Sequence, residues 1–149
     1  MRIRLGLAVV ALATTAATFA FAQEEVIKLR QKVMDVNGQA AGVAVGMIRG
    51  QIPFDPVVAA AVARSIASDN EIFPDLFPAG SDKSEGETTT KAAPAIWENM
   101  ADFKAISVKM VADATAAAKA AAQGKDAFAA AFNAVGQNCG ACHSKFRLK

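Results

Sequence analysis

Apolar residues return every three or four positions through most of this chain, and that period points to helices. The clearest case is the C-terminal stretch, where Phe128, Phe132, Val135, Cys139, Cys142 and Phe146 follow one another at spacings of 4, 3, 4, 3 and 4. Such a run lays its side chains along one stripe of an α-helix. Composition agrees: of 149 residues, 53% are hydrophobic, much of that share is Ala, Trp occurs once and Tyr is absent. Ala is the best helix former, whereas sheets favour β-branched and aromatic residues. An all-β fold is set aside on these grounds, and the length suits one domain.

The N-terminus has a different character. Met1-Arg2-Ile3-Arg4 is a basic opening, Leu5 to Ala13 is an apolar run, and Ala20-Phe21-Ala22 matches the small-x-small rule of a cleavage site. Residues 1–22 therefore read as a secretory leader cut before Gln23, with 23–149 as the domain. The alternative is an uncleaved anchor, but the apolar run is short for a bilayer span and is interrupted by Thr14 and Thr15. Removing the leader takes away Arg2 and Arg4 and no acid, so the formal charge of +2 falls to zero. A neutral chain with scattered basic residues lacks the footprint of a nucleic-acid binder. Nothing downstream is long and apolar enough to span a bilayer, so the expectation is a periplasmic protein with no stable membrane insertion after cleavage.

An exported chain favours disulfides, and Cys139 and Cys142 are the only cysteines. Their context argues against a structural staple. A bridge closing so short a loop would constrain little of the unfolded ensemble. A thioredoxin-like motif needs a βαβ setting, and a zinc site needs more good ligands. What remains is Cys139-Gly140-Ala141-Cys142-His143, a C-x-x-C-H pentapeptide that holds the sole histidine and reads as covalent c-type haem attachment. Haem c takes two thiols into thioethers with its vinyl groups and an imidazole onto its iron from the same side. On a helix, steps of three and four put Cys139, Cys142 and His143 on one face. The motif continues the stripe described above.

Three further helices are expected. The first covers about Glu24 to Arg49, with a core stripe of Val26, Leu29, Val33, Val36, Ala40, Val43 and Met47, and ends near Gly50 and Pro53. The second opens on an Asp55 N-cap with Pro56 at its first position and runs to about Ser68. The third opens at Pro94, passes through Ile96, Met100, Phe103, Ile106, Met110, Ala114 and Ala117, and stops before Gly124; Asp126 is the expected cap of the fourth. The connection over about 70–93 is long for a compact domain, so it is either a surface loop or one folded over a haem edge. Phe73 and Phe77 indicate that its first half packs. The fold class is all-α, an antiparallel four-helix bundle with covalently bound haem, since bundle cores house cofactors.

The leader, the four-helix pattern and a C-x-x-C-H in the last helix, followed by Phe146-Arg147, resemble the class II cytochromes c, the family of cytochrome c prime. The resemblance spans about Glu24 to Lys149. It includes Lys28-Leu29-Arg30-Gln31, Gly50-Gln51-Ile52-Pro53-Phe54-Asp55 and Pro94-Ala95-Ile96-Trp97. Lys32-Val33-Met34-Asp35-Val36-Asn37-Gly38 and Leu76-Phe77-Pro78 are more similar to the low-spin, cytochrome c-556 type branch.

The resemblance implies one haem c with His143 as proximal ligand and, in the low-spin branch, a methionine of the first helix as distal ligand. With His143 used, the thioether candidates are Met34, Met47, Met100 and Met110. The last three lie in phase with packing stripes. Met34 is one step off its own stripe, on the line Ile27, Arg30, Met34, Asn37 and Ala41, which is free to face a cofactor. The other reading makes Met34 a gap filler over a five-coordinate haem. Arg30, one turn from Met34, is placed by the resemblance at a haem propionate, where the alternative is a solvated arginine. Gln31 is placed beside the ring. Thr88 and Thr89 match a loop that touches the haem in relatives, though loop lengths differ, and Trp97 is a packing residue. The function implied is a non-enzymatic electron carrier working with redox partner proteins, with a homodimer left open. The alternative is a five-coordinate protein binding nitric oxide or carbon monoxide at an open distal site.

Overall fold

In the computed structural model, the backbone is described for residues 4–84 and 88–149, and side chains for 23–84 and 88–149. The expected leader, residues 1–22, lies outside the residues whose side chains are described. The elements are α1 (Arg4–Ile48), α2 (Pro56–Ile72), a 3-10 turn (Phe73–Leu76), α3 (Ala95–Glu98), α4 (Met100–Ala120), a 3-10 turn (Ala121–Gln123) and α5 (Lys125–Phe146). Among the described residues there is no strand, and α1, α2, α4 and α5 form an antiparallel four-helix bundle. No helix of the described residues is long and apolar enough to cross a membrane.

Turn chemistry sets the helix ends. The α1–α2 turn bends at Gly50, whose φ of 71° suits a residue without Cβ. Asp55 Oδ1 then accepts from the Val57 and Val58 amides at 2.7 and 3.1 Å, and Pro56 stands at the first position of α2, as its sequence requires. Four boundaries differ from the sequence expectation, the first being the start of α1, at Arg4 and not near Glu24. α2 runs to Ile72, one turn past Ser68, and Ser107 Oγ on α4 ties that extra turn down by donating to Asn70 O. The third helix is broken: α3 is a single turn, and Asn99 (φ −131°, ψ 45°) resets the chain before α4, its own side chain donating back to Ala95 O. Asp126 does not cap α5. That position belongs to Gly124 at φ 106°, while Asp126 lies in the first turn, where a negative charge complements the helix dipole.

Two apolar clusters fill the bundle. One is rich in Ala (Ala40, Ala44, Ala59, Ala63, Ala114 and Ala117, with Met47, Phe128, Phe132 and Val135), and small side chains there let the helices approach closely. The other is aromatic: Phe103 meets Phe73, Phe77 and Phe146 at ring-centroid distances of 6.2, 4.8 and 5.2 Å, and Phe77 also meets Trp97 at 5.9 Å. A cavity opens where the clusters meet, lined by residues of both.

The face that α1 buries departs from the expected stripe only in part: Val33, Ala40 and Met47 are buried as expected. Leu29 and Val36 are 50% and 36% exposed, whereas Ile27 is fully buried and Arg30 is 4% exposed. The reason is tertiary. The segment after α2 lays Phe77 and Ser81 against Arg30, so at this end of α1 the arginine is buried in place of Leu29.

Candidate functional site

The cavity measures about 670 Å³, within the usual 300–1,000 Å³ of cofactor sites. α5 supplies Cys139, Cys142 and His143 to its wall, since steps of three and four keep them on one face. α1 supplies Arg30, Gln31, Met34, Asn37 and Ala41, the off-stripe line. α4 supplies Phe103, Ile106, Ser107 and Met110, and the segment 89–92 closes one edge. The six residues predicted for the site are thus brought to one cavity. Met110 lines it as well, which its phase in the packing stripe did not suggest. Met47 belongs to the Ala-rich cluster and Met100 packs on the aromatic one.

The two cysteines are unbonded to each other. Burial raises the Cys139 thiol, and burial together with Cys139 pushes Cys142 up to about 11. Partial burial and the nearby Arg147 guanidinium hold the His143 imidazole below the ordinary histidine range. Its neutral form, the one that ligates metal, is favoured. Among the described residues, no three His, Cys, Asp or Glu side chains gather as a metal cluster.

Arg30 is not the solvated arginine of the bland alternative. Its guanidinium donates to Ser81 Oγ at 3.1 Å, Ser81 O at 2.6 Å and Thr90 Oγ1 at 2.7 Å, and stacks 4.8 Å over the Phe77 ring. Burial lowers its pKa to about 10, with Asp82 opposing the shift. A cation so buried and held by neutral partners on a cavity wall suits a carboxylate ligand. Gln31 Nε2 donates to Thr89 O at 2.6 Å, and Thr88 Oγ1 to Glu24 Oε1 at 2.9 Å, so α1 pins the segment over the cavity. The same segment is latched to the end of α5: Ala93 N donates to Phe146 O at 3.0 Å and Leu148 N to Lys91 O at 2.8 Å. Trp97 Nε1 donates to Pro78 O at 3.1 Å, a packing role. The long connection is thus an ordered wall along its described part. Ser81 and Thr90 were missed from sequence, since their partner Arg30 lies 51 and 60 residues away.

Two thiols and an imidazole on one wall, a thioether from another helix and a buried cation at the edge are a donor set for haem, and the cavity has room for the ring. Known proteins agree. The cytochrome c' family profile matches residues 25–147. Cytochrome c-556 of Agrobacterium tumefaciens (strain II Chrys) is 37% identical over 123 residues, covering 83% of this chain and 97% of that protein. Cytochrome c' of Rhodopseudomonas palustris (strain ATCC BAA-98 / CGA009) is 34% identical over 149 residues, covering 100% and 99%. The crystal structure of cytochrome c' from Thermochromatium tepidum superposes with a TM-score of 0.79 at 28% identity, over 85% of this chain and 97% of that one. The molecule is a c-type cytochrome built as a four-helix bundle. It belongs to the cytochrome c' family, and its cofactor is haem c.

Proposed function

We propose that this protein is a periplasmic carrier of single electrons, with a six-coordinate haem held between α5 and α1. When bound, the haem supplies an iron that alternates between ferric and ferrous states. Cys139 and Cys142 anchor the ring by thioethers and His143 ligates from that same wall; Met34 ligates from α1. Arg30 holds a propionate and Gln31 keeps the 89–92 segment in place beside the ring. The observation that carries this reading is the placement of Met34 and His143 on different walls of one cavity, with no second histidine in the chain. Met110 is the rival thioether, but it sits on α4, the helix packed directly against α5, whereas α1 and α5 face each other mainly across the cavity. A saturated iron changes little on reduction, which suits outer-sphere transfer and not enzymatic turnover. The same proposal includes a leader over residues 1–22, no membrane insertion after its removal, redox proteins as partners, and a homodimer through the exposed Leu29–Val36 face of α1.

Spectroscopy tests it. Haem should resist extraction by acidified organic solvent, and the ferrous protein should show sharp α and β bands. The ferric protein should carry a weak sulfur-to-iron band in the far red that Met34→Ala abolishes and Met110→Leu leaves. A broad high-spin ferrous spectrum, indifferent to Met34→Ala and with rapid carbon monoxide binding, would replace electron transfer by ligand binding at an open site.

A further inference from the structure

Among the described residues, the buried side-chain atoms without a hydrogen-bond partner are Asn37 Oδ1, Asn37 Nδ2 and Asp69 Oδ2. Asp69 does not line the cavity, but Asn37 does. The buried polar side chains elsewhere on the wall are satisfied: Asn70 Nδ2 donates to Ile66 O at 2.8 Å, Ser107 Oγ to Asn70 O at 2.7 Å, and Arg30 to Ser81 and Thr90. A buried amide left unpaired costs free energy that an apolar residue of similar size would avoid, so an orphan on a cofactor wall points to a partner that arrives with the cofactor.

The helix indicates which partner. Asn37 follows Met34 by three residues, which puts their Cβ atoms about 5–6 Å apart on one face. Helical side chains lean toward the N-terminus, so Asn37 reaches back over the turn that carries Met34. On the other side of Met34 along this line, Arg30 is already committed to Ser81 and Thr90. The backbone amides of α1 are spent within the helix.

We propose that Asn37 Nδ2 donates a hydrogen bond to Met34 Sδ when that sulfur ligates the iron, making Asn37 a positioning residue for the distal ligand. This rests on Met34 being the sixth ligand. A thioether sulfur has a second lone pair and is a weak acceptor, so the ligand bond and the hydrogen bond coexist. The bond holds the sulfur in the ligating rotamer and slows its departure. It also draws electron density from the ligand, which disfavours ferric relative to ferrous iron.

The test uses the haem-loaded protein and its Asn37→Leu and Asn37→Ala variants. Both should keep the far-red sulfur band, shifted in position. Their redox equilibrium should move about threefold to tenfold toward ferric iron, tenfold being 59 mV for one electron. Carbon monoxide should bind the ferrous variants faster by a similar factor. A shift toward ferrous iron, the direction expected from merely replacing a polar group by an apolar one, overturns the proposal, and so does an unchanged potential. If the parent protein lacks the sulfur band, the Met34 reading has failed and this inference with it. A normal band in the parent with an unshifted potential in both variants removes the inference alone. Should Asn37→Leu fail to load haem, Asn37→Ala, which adds no bulk, decides.

Discussion

Phe103→Ala is the substitution that most directly tests how the cavity end of the bundle is held. The ring is 3% exposed and touches Phe73, Phe77 and Phe146, so one side chain of α4 joins the segment after α2 to the end of α5. Burying a Phe is worth about 1.5–3 kcal/mol, and truncation adds the cost of the void it leaves. Each edge-on aromatic pair adds roughly 0.5–1.5 kcal/mol, though the pairs overlap with the burial figure. The neighbouring rings come from two separate segments, the one after α2 and the end of α5, that are held by other contacts, so the site collapses poorly, and about 4 kcal/mol is expected. For a domain of this size that lowers Tm by about 12–16 °C. Guanidinium unfolding of the haem-loaded protein, followed by far-ultraviolet circular dichroism and by the Soret band, reads the loss. Carbon monoxide binding should also quicken, because the void adjoins the cavity. A loss under about 1.5 kcal/mol would refute the reasoning that this ring is the shared contact of the three elements.

Asp55→Ala removes the side-chain oxygen that caps α2 and should cost about 1 kcal/mol in chemical denaturation, with the spectrum of the haem unaltered. Leu29→Glu places a charge on the exposed face of α1 and should convert a dimer to monomer in sedimentation equilibrium without lowering stability. Protein recovered from a periplasm should have the intact mass of residues 23–149 plus one haem; retention of residues 1–22 would indicate an anchored form.

What the sequence made legible is what local spacing encodes. The α5 stripe, the shared face of Cys139, Cys142 and His143, and the Asp55-Pro56 start of α2 all depend on residues a turn or less apart. The buried face of α1 does so only in part. Val33, Ala40 and Met47 keep the expected line, but Arg30 is buried in place of Leu29 through Phe77 and Ser81, which arrive from a distant part of the chain. The same distance hid Ser81 and Thr90 as the holders of Arg30. Asn99 hid the break between α3 and α4, because its side chain supplies the competing hydrogen bond that a count of apolar positions does not register. Met34's place on the cavity wall was legible through its misfit, one step away from the stripe that Val33, Ala40 and Met47 keep.

The two thiols bear on how such a molecule is assembled. In the folded chain burial raises both thiols, Cys142 up to about 11, which disfavours the nucleophilic thiolate. Carbon–sulfur bond formation also needs the ring edge brought against both sulfurs, behind a segment already latched at Phe146 and Leu148. Attachment to the closed bundle would therefore require the 89–92 wall to part from the end of α5. The chronology that the geometry favours is bonding to an open chain first, with the helices closing afterwards around a ring they already carry.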